Sequence, residues 1–376
     1  MHATITDQQL ARALSLRDLS DPAQGPHAMQ LMVEAITTRL HAAWGCPVIV
    51  HRAPPVVTIE ENYGVLGYPP DAAAREARYT RYVDERRLLR SHATAMVPAA
   101  LRAAAARCGR DDLAVVCVGL VYRRDVVDRL HVGEPHQLDV WRARRGAALT
   151  VHDLDGLVDV VVDAVMPGSQ HRTLAATHPY TEAGREVEVG AGGGYVELLE
   201  CGLAARHVLA AAALDPAEWS GLALGMGLDR AVMLRKGIAD IRLLRSDDPR
   251  VSGQMLTLDP YREVSSMPPT TRDLSLAVDA GLTAEELGDR VRQILSADAL
   301  ESVEEVSVVS ETGAADLPAQ AVARIGLRPG QKNVLLRLVL RHPTRTLTAA
   351  QANGIRDDVY AAVHEGDVYQ WTGDVH

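Results

Sequence analysis

In the run GMGLDRAVMLRKGIADIRLL (225–244), Gly225 and Gly227 precede Arg230 at the mouth of a helical segment. Glycines let a phosphate or flat ring approach the backbone, and an arginine fork can hold phosphate oxygens. The same residues also read as a tight strand-to-helix turn with a surface arginine. In VYRRDVVDRLHVGEPHQLDV (121–140), two β-runs flank a polar loop and carry Arg123 and Asp125, then Gln137 and Asp139. Alternate residues of a strand share a face, so an arginine and acids can converge there. Taken alone, an ordinary charged hairpin fits better. In YVELLE, Glu197 sits between apolar neighbours. A carboxylate in a pocket wall would need a cation or donor, whereas an exposed edge position would need nothing. In THPYTEA (177–183), Pro179 stiffens a segment with His178 on one side and Tyr180 on the other. Two flat rings so held suit a planar guest between them.

These residues need a scaffold, and the chain supplies short β-rich runs between helical segments. Residues 27–44 place Met29, Met32, Val33, Ile36 and Leu40 at helical spacing. Strand-like runs recur at 113–125, 136–145, 185–200 and 220–230, bounded by glycine-rich turns. That pattern predicts an α+β fold built on an antiparallel sheet. The proline-rich stretch around 251–271 reads as a linker. Beyond it come a strand (272–278), a helix with a Thr283–Glu286 capping box, and a strand (303–309). A loop (311–331), a strand (332–341) and a helix opened by Thr348 and Gln351 follow. The β-α-β-β-α order is ferredoxin-like.

With 376 residues, 47% hydrophobic and 23% charged, the chain fits a two-domain globular protein. Apolar runs are too short to span a bilayer. Asp7, Asp18 and Asp21 with no apolar run argue against targeting, and four cysteines without CxxC spacing suggest a reduced cytoplasmic setting. The net charge of −10 gives no global pull toward nucleic acid but leaves room for a local basic face. Lys236 and Lys332 are the two lysines, and phenylalanine is absent altogether.

In this order the motifs resemble the single-chain, organellar-type phenylalanyl-tRNA synthetases, class II aminoacyl-tRNA synthetases. PPVVTIEENYGVL and LLRSHATAM resemble segments ahead of that family's active site. The 122–139 run resembles class II motif 2 and 225–244 resembles motif 3. RDLSLAV and LRLVLRHPTRTLT are similar to its ferredoxin-fold anticodon-binding domain. The resemblance implies an N-terminal helical segment (1–45), a catalytic domain (46–250), a linker (251–271) and an anticodon-binding domain (272–376). It implies ATP and Mg²⁺, an amino acid, and a tRNA as partners, with a monomer or homodimer both open. It assigns Arg123 to the α-phosphate and carboxylate and Arg230 to the far phosphates. Asp125, His131 and Pro135 fall to the nucleotide, as do Gly225 and Gly227, and Glu197 to the metal. The amino-acid side goes to His92, Thr94, Gln137, Asp139, His178, Tyr180 and Ala223. Arg337, Arg341 and Arg345 would form a basic face for RNA.

Departures from the family are specific. Its Phe-Pro-Phe segment is His178-Pro179-Tyr180, its adenine-stacking phenylalanine is Pro135, an amide is Val97, and a glycine before Cys201-Gly202 is Glu200. The first change is either a pocket retuned to a more polar ring or one loss among many in a chain purged of phenylalanine. The purge recurs in LALG, RDLSL and Asn62-Tyr63, and favours the second. A chain free of phenylalanine suggests a backup or self-resistance synthetase, made when charged phenylalanine tRNA is scarce. The rivals are an adenylate-forming relative with another amino acid or acyl acceptor, and a non-catalytic sensor of amino acid or tRNA.

Overall fold

The chain opens with α1 (Asp7–Leu14), started by a Thr6–Gln9 capping box, and α2 (Ala28–Trp44), capped by the His27 side chain. Met29, Met32, Val33, Ile36 and Leu40 are all buried, as their spacing requires. A computed structural model describes residues 4–77, 79–123, 130–264, 267–342 and 345–369, and the chain divides into units Met1–Arg262 and Glu263–His376.

Strand β1 (Val48–His51) is followed by β2 (Val56–Thr58) and β3 (Arg87–Leu89), which pair as a small ribbon. Next come α3 (Val97–Cys108), β4 (Asp112–Leu120), β5 (His136–Arg145) and α4 (Val151–Val165). Then β6 (His171–Ala175), β7 (Thr181–Ala191), β8 (Gly194–Ala204), α5 (Arg206–Ala211), β9 (Trp219–Gly227) and α6 (Leu228–Lys236) complete the sheet and its cover. The seven-stranded order is β1-β4-β5-β9-β8-β7-β6, antiparallel except for the β1–β4 pair at one edge. One face of it packs Leu113, Val115, Trp141 and Ala223 against α3 and α5.

Two expectations change here. The run 113–125 is not a strand throughout, because β4 ends at Leu120, where the buried Arg90 side chain takes the Leu120 carbonyl (2.8 Å). The run 185–200 is a hairpin: Gly192 and Gly193 turn it with φ of 58° and 83°, the left-handed conformation a two-residue turn needs.

The stretch 251–271 is only partly a linker. Helix α7 (Pro249–Ser252) and the turn after it bury Val251 and Met255. The buried Lys236 ammonium, at the end of α6, donates to the Thr257 (2.8 Å) and Asp259 (2.6 Å) carbonyls. Lys236→Met would leave both carbonyls without that donor. It should lower stability by about 1–3 kcal/mol, read as a shift in the urea midpoint followed by tryptophan fluorescence.

The second unit holds β10 (Thr270–Asp279), α8 (Ala284–Ile294), α9 (Ala297–Glu301), β11 (Val303–Gly313), α10 (Ala319–Ile325), β12 (Gln331–Leu340) and α11 (Ala349–Val363). Its sheet order is β10-β12-β11, antiparallel throughout, a ferredoxin-like arrangement. Both expected capping boxes are present. The segment expected to be a loop at 311–331 contains the end of β11 and all of α10. Among the described residues no helix is long and apolar enough to cross a membrane.

Candidate active site

The pairing register shows which side chains share a face of the large sheet, since directly opposed residues point the same way. Asp139 on β5 lies opposite Gly225 on β9, which lies opposite Glu200 on β8. Two residues along, Trp141, Ala223 and Gly202 make the next row. In the other direction Gln137 faces Gly227. The central strand therefore gives this face a floor of Ala223, Gly225 and Gly227, with nothing larger than a methyl. Gln137, Asp139 and Trp141 wall it on one side. A Cβ on Gly225 would stand 3.4 Å from an Asp139 carboxylate oxygen, in van der Waals contact with the wall.

Asp139 is 4% exposed and accepts a 2.7 Å hydrogen bond from Thr94 Oγ1. Burial pushes its carboxyl up to about 7, against the opposing pull of Thr94, Trp141 and the Arg123 charge. Gln137 Oε1 accepts from the Ala93 backbone N–H (3.1 Å), so the turn Ala93–Met96 is docked on β5. His92, just before that turn, stacks on Tyr68 (5.7 Å between centroids, 26°). Burial, then the Arg123 charge, lowers its imidazole to about 3, so it is neutral.

Arg123 stands beyond the end of β4. Its Nε donates to the Ser91 carbonyl (2.7 Å) and its backbone N–H to the Gly133 carbonyl (2.9 Å). The Asn62 amide in turn fixes Ser91 through both its backbone N–H and its hydroxyl. The Arg123 charge acts on Asp139, Glu200 and Tyr180, which brings it to the trough. Asp125 lies outside the described residues. His131 and Pro135 are half-buried on the arm returning to β5, where the Pro135 carbonyl accepts from Val121 N–H (2.9 Å).

Arg230, in the first turn of α6, donates to Glu197 Oε2 (3.0 Å). A bulge in β8 decides what Glu197 joins. Glu188 opposes Glu197 and Val187 opposes Leu199, which leaves Leu198 as an extra residue. Glu197 and Glu200 consequently point to the same face as Glu186 and Glu188. Arg172 pairs with Glu188 and His178 with Glu200. Slight burial and the charges of Glu197, Glu188 and Glu200 hold the Glu186 carboxyl above its ordinary value. Carboxylates opposed in register repel, and their hard oxygens suit a divalent cation such as Mg²⁺.

The 178–181 segment, between β6 and β7, lies against this floor. His178 Nε2 is 3.3 Å from Glu200 Oε2, and its Nδ1 is 3.0 Å from Thr181 Oγ1. The expectation of a gap between His178 and Tyr180 does not hold. The two rings stack on each other (5.6 Å, 21°), because a single proline between them sets both on the same side. Tyr180 leans toward Trp141 (6.4 Å) and Tyr68 (6.3 Å). The cavity among Asp139, Trp141, His178, Tyr180, Glu200 and Ala223 is about 10 Å³, room for roughly one water.

In the second unit each arginine expected to form a basic face has an acid partner. Arg337 pairs with Asp273 (2.8 Å), Arg341 with Glu304 (2.7 Å) and Arg345 with Asp298 (2.8 Å).

Trp141, Thr181 and Ser91 were not anticipated as site residues. Trp141 was within reach of alternation, lying two residues beyond Asp139 on a strand already assigned. Ser91 acts through contacts 29 and 32 residues away in sequence, of which short-range pattern carries no sign, and Thr181 through a local turn to His178.

Residues 16–255 match the family described as tRNA synthetases class II core domain (F). The chain is 26% identical over 403 residues to a probable mitochondrial phenylalanine–tRNA ligase of Drosophila melanogaster, across 90% of this chain and 83% of that protein. It is 35% identical over 201 residues to the phenylalanine–tRNA ligase alpha subunit of Prochlorococcus marinus (strain MIT 9313), across 54% of this chain and 58% of that subunit. A pyrrolysyl-tRNA synthetase from Desulfitobacterium hafniense superimposes with a TM-score of 0.44 and 16% identity, over 64% of this chain and 80% of that one. The chain belongs to the class II tRNA synthetases with the F-type core domain.

Proposed function

We propose that this chain activates an aromatic amino acid with ATP and transfers it to tRNA, the activity named in its phenylalanine–tRNA ligase relatives. The observation that carries the reading is the open trough of Ala223, Gly225 and Gly227, walled by Asp139 within reach of the Arg123 charge on the β5 side and by the Arg230–Glu197 pair on the β8 side. In this reading Asp139 takes the amino acid's ammonium group. Arg123 steadies its carboxylate and the α-phosphate while a carboxylate oxygen attacks the α-phosphorus and pyrophosphate leaves. Arg230 holds the outgoing phosphates. A tRNA ribose hydroxyl then attacks the acyl carbon, and AMP leaves. Such catalysis rests on position and fixed charge rather than on a protein nucleophile. Mg²⁺ would be held by Glu197 with Glu186 beside it, and when bound it neutralises phosphate charge.

ATP–pyrophosphate exchange across the aromatic amino acids, followed by charging of total tRNA, tests both halves. Exchange with at least one aromatic amino acid and an acid-precipitable, alkali-labile aminoacyl-tRNA product are expected. Absence of exchange would end the activation reading. The carboxylate partners of Arg337, Arg341 and Arg345 support a second reading, in which the acyl group passes to an acceptor other than tRNA. Exchange without charging would favour it.

A further inference from the structure

We propose that the amino acid this site selects is a hydroxylated aromatic one, its ring hydroxyl donating to the Glu200 carboxylate. The inference rests on the activation reading above and names its substrate class.

Glu200 shares the sheet row of Asp139, with only Gly225 between them. A guest whose ammonium meets Asp139 therefore lies across the floor toward Glu200, with its ring over Gly225 and against the adjoining row of Trp141 and Ala223. Glu200 is half-buried, and His178, its Nε2 3.3 Å from Glu200 Oε2, holds the carboxyl below its ordinary value. His178 Nδ1 faces the Thr181 hydroxyl, so Nε2 carries the proton that faces Glu200 when Nδ1 accepts.

Tyr180 now fills the space a guest ring needs, so entry requires Tyr180 to move, and His178 is stacked on it. Displacing that stack takes the imidazole donor from Glu200 at the moment a ring covers the carboxylate. A plain phenyl ring would then strip water from an anion and return nothing, which is unfavourable. A phenol restores the donor. Sites that hydrogen-bond a substrate hydroxyl reject the analogue lacking it far more strongly than apolar pockets reject an extra methylene. The partial exposure of Glu200 moderates that discrimination to roughly tenfold or more.

The test is ATP–pyrophosphate exchange by the full chain with phenylalanine and with its ortho-, meta- and para-hydroxy derivatives. At least one hydroxylated isomer should exceed phenylalanine in kcat/KM by about tenfold or more. In Glu200→Gly that preference should vanish, and in Glu200→Gln it should weaken. Phenylalanine preferred over all three isomers would overturn the inference and leave the activation reading standing. A hydroxyl preference unchanged in both folded variants would also overturn it, since Glu200 would not be its source. Exchange with none of the four would remove the activation reading and this inference with it.

Discussion

Replacing Arg123 by alanine should lower the rate of pyrophosphate exchange by about 10²–10³-fold, the range seen when a positioned charge-stabilising donor is removed. The guanidinium is not held by a carboxylate in any contact described above. Its Nε is on the Ser91 carbonyl, and its field reaches Asp139 and Glu200 across the trough. A neutral side chain there would leave the developing phosphate charge without its fixed partner. Lysine should rescue little, because a point charge does not reproduce the planar fork. Steady-state exchange kinetics with ATP and amino acid varied separately would check this. A loss under tenfold would mean that Arg123 borders the site without acting in it.

The second large effect is set by Asp139. Its carboxyl titrates near 7 because burial disfavours the charge. An ammonium partner needs the ionised form, so kcat/KM for the amino acid should climb about tenfold per pH unit below 7 and level off above it. Asp139→Asn should flatten that limb and lower the plateau by roughly 10²-fold, as expected when one member of a buried charge pair is removed. Stability should move oppositely. A carboxyl raised in the folded state favours folding most below its unfolded value near 4, and that advantage is lost as pH rises through about 7. Above pH 7 the asparagine variant should therefore unfold at higher urea than the parent. Opposite signs would mark Asp139 as a group kept for function at a cost in stability.

Local pattern made much of the scaffold legible. The buried stripe of α2, the Thr283 and Thr348 caps and the extent of β5 all follow from rules spanning a few residues. The parts that escaped depend on pairing. Alternation alone puts Glu197 and Glu200 on opposite faces, since they stand three positions apart, and only the extra Leu198 brings them together. Arg123 looked like a strand residue because its neighbours are β-rich, yet Arg90 takes the Leu120 carbonyl from a segment thirty residues earlier. His178 and Glu200 each stood out as a departure from the family pattern, but nothing short of the folded sheet joins them. The loss of phenylalanine can explain a histidine at 178. It does not explain a glutamate at 200.

The bare floor carries an evolutionary consequence. Ala223 and Gly225 line the small cavity beside Asp139, and a Cβ on Gly225 would already touch the Asp139 carboxylate, so a larger side chain at either position would occupy the trough. Natural variation in what the enzyme accepts is therefore channelled into the two flanking strands and the 178–181 segment. A lineage that keeps this floor open changes its diet by repainting those borders.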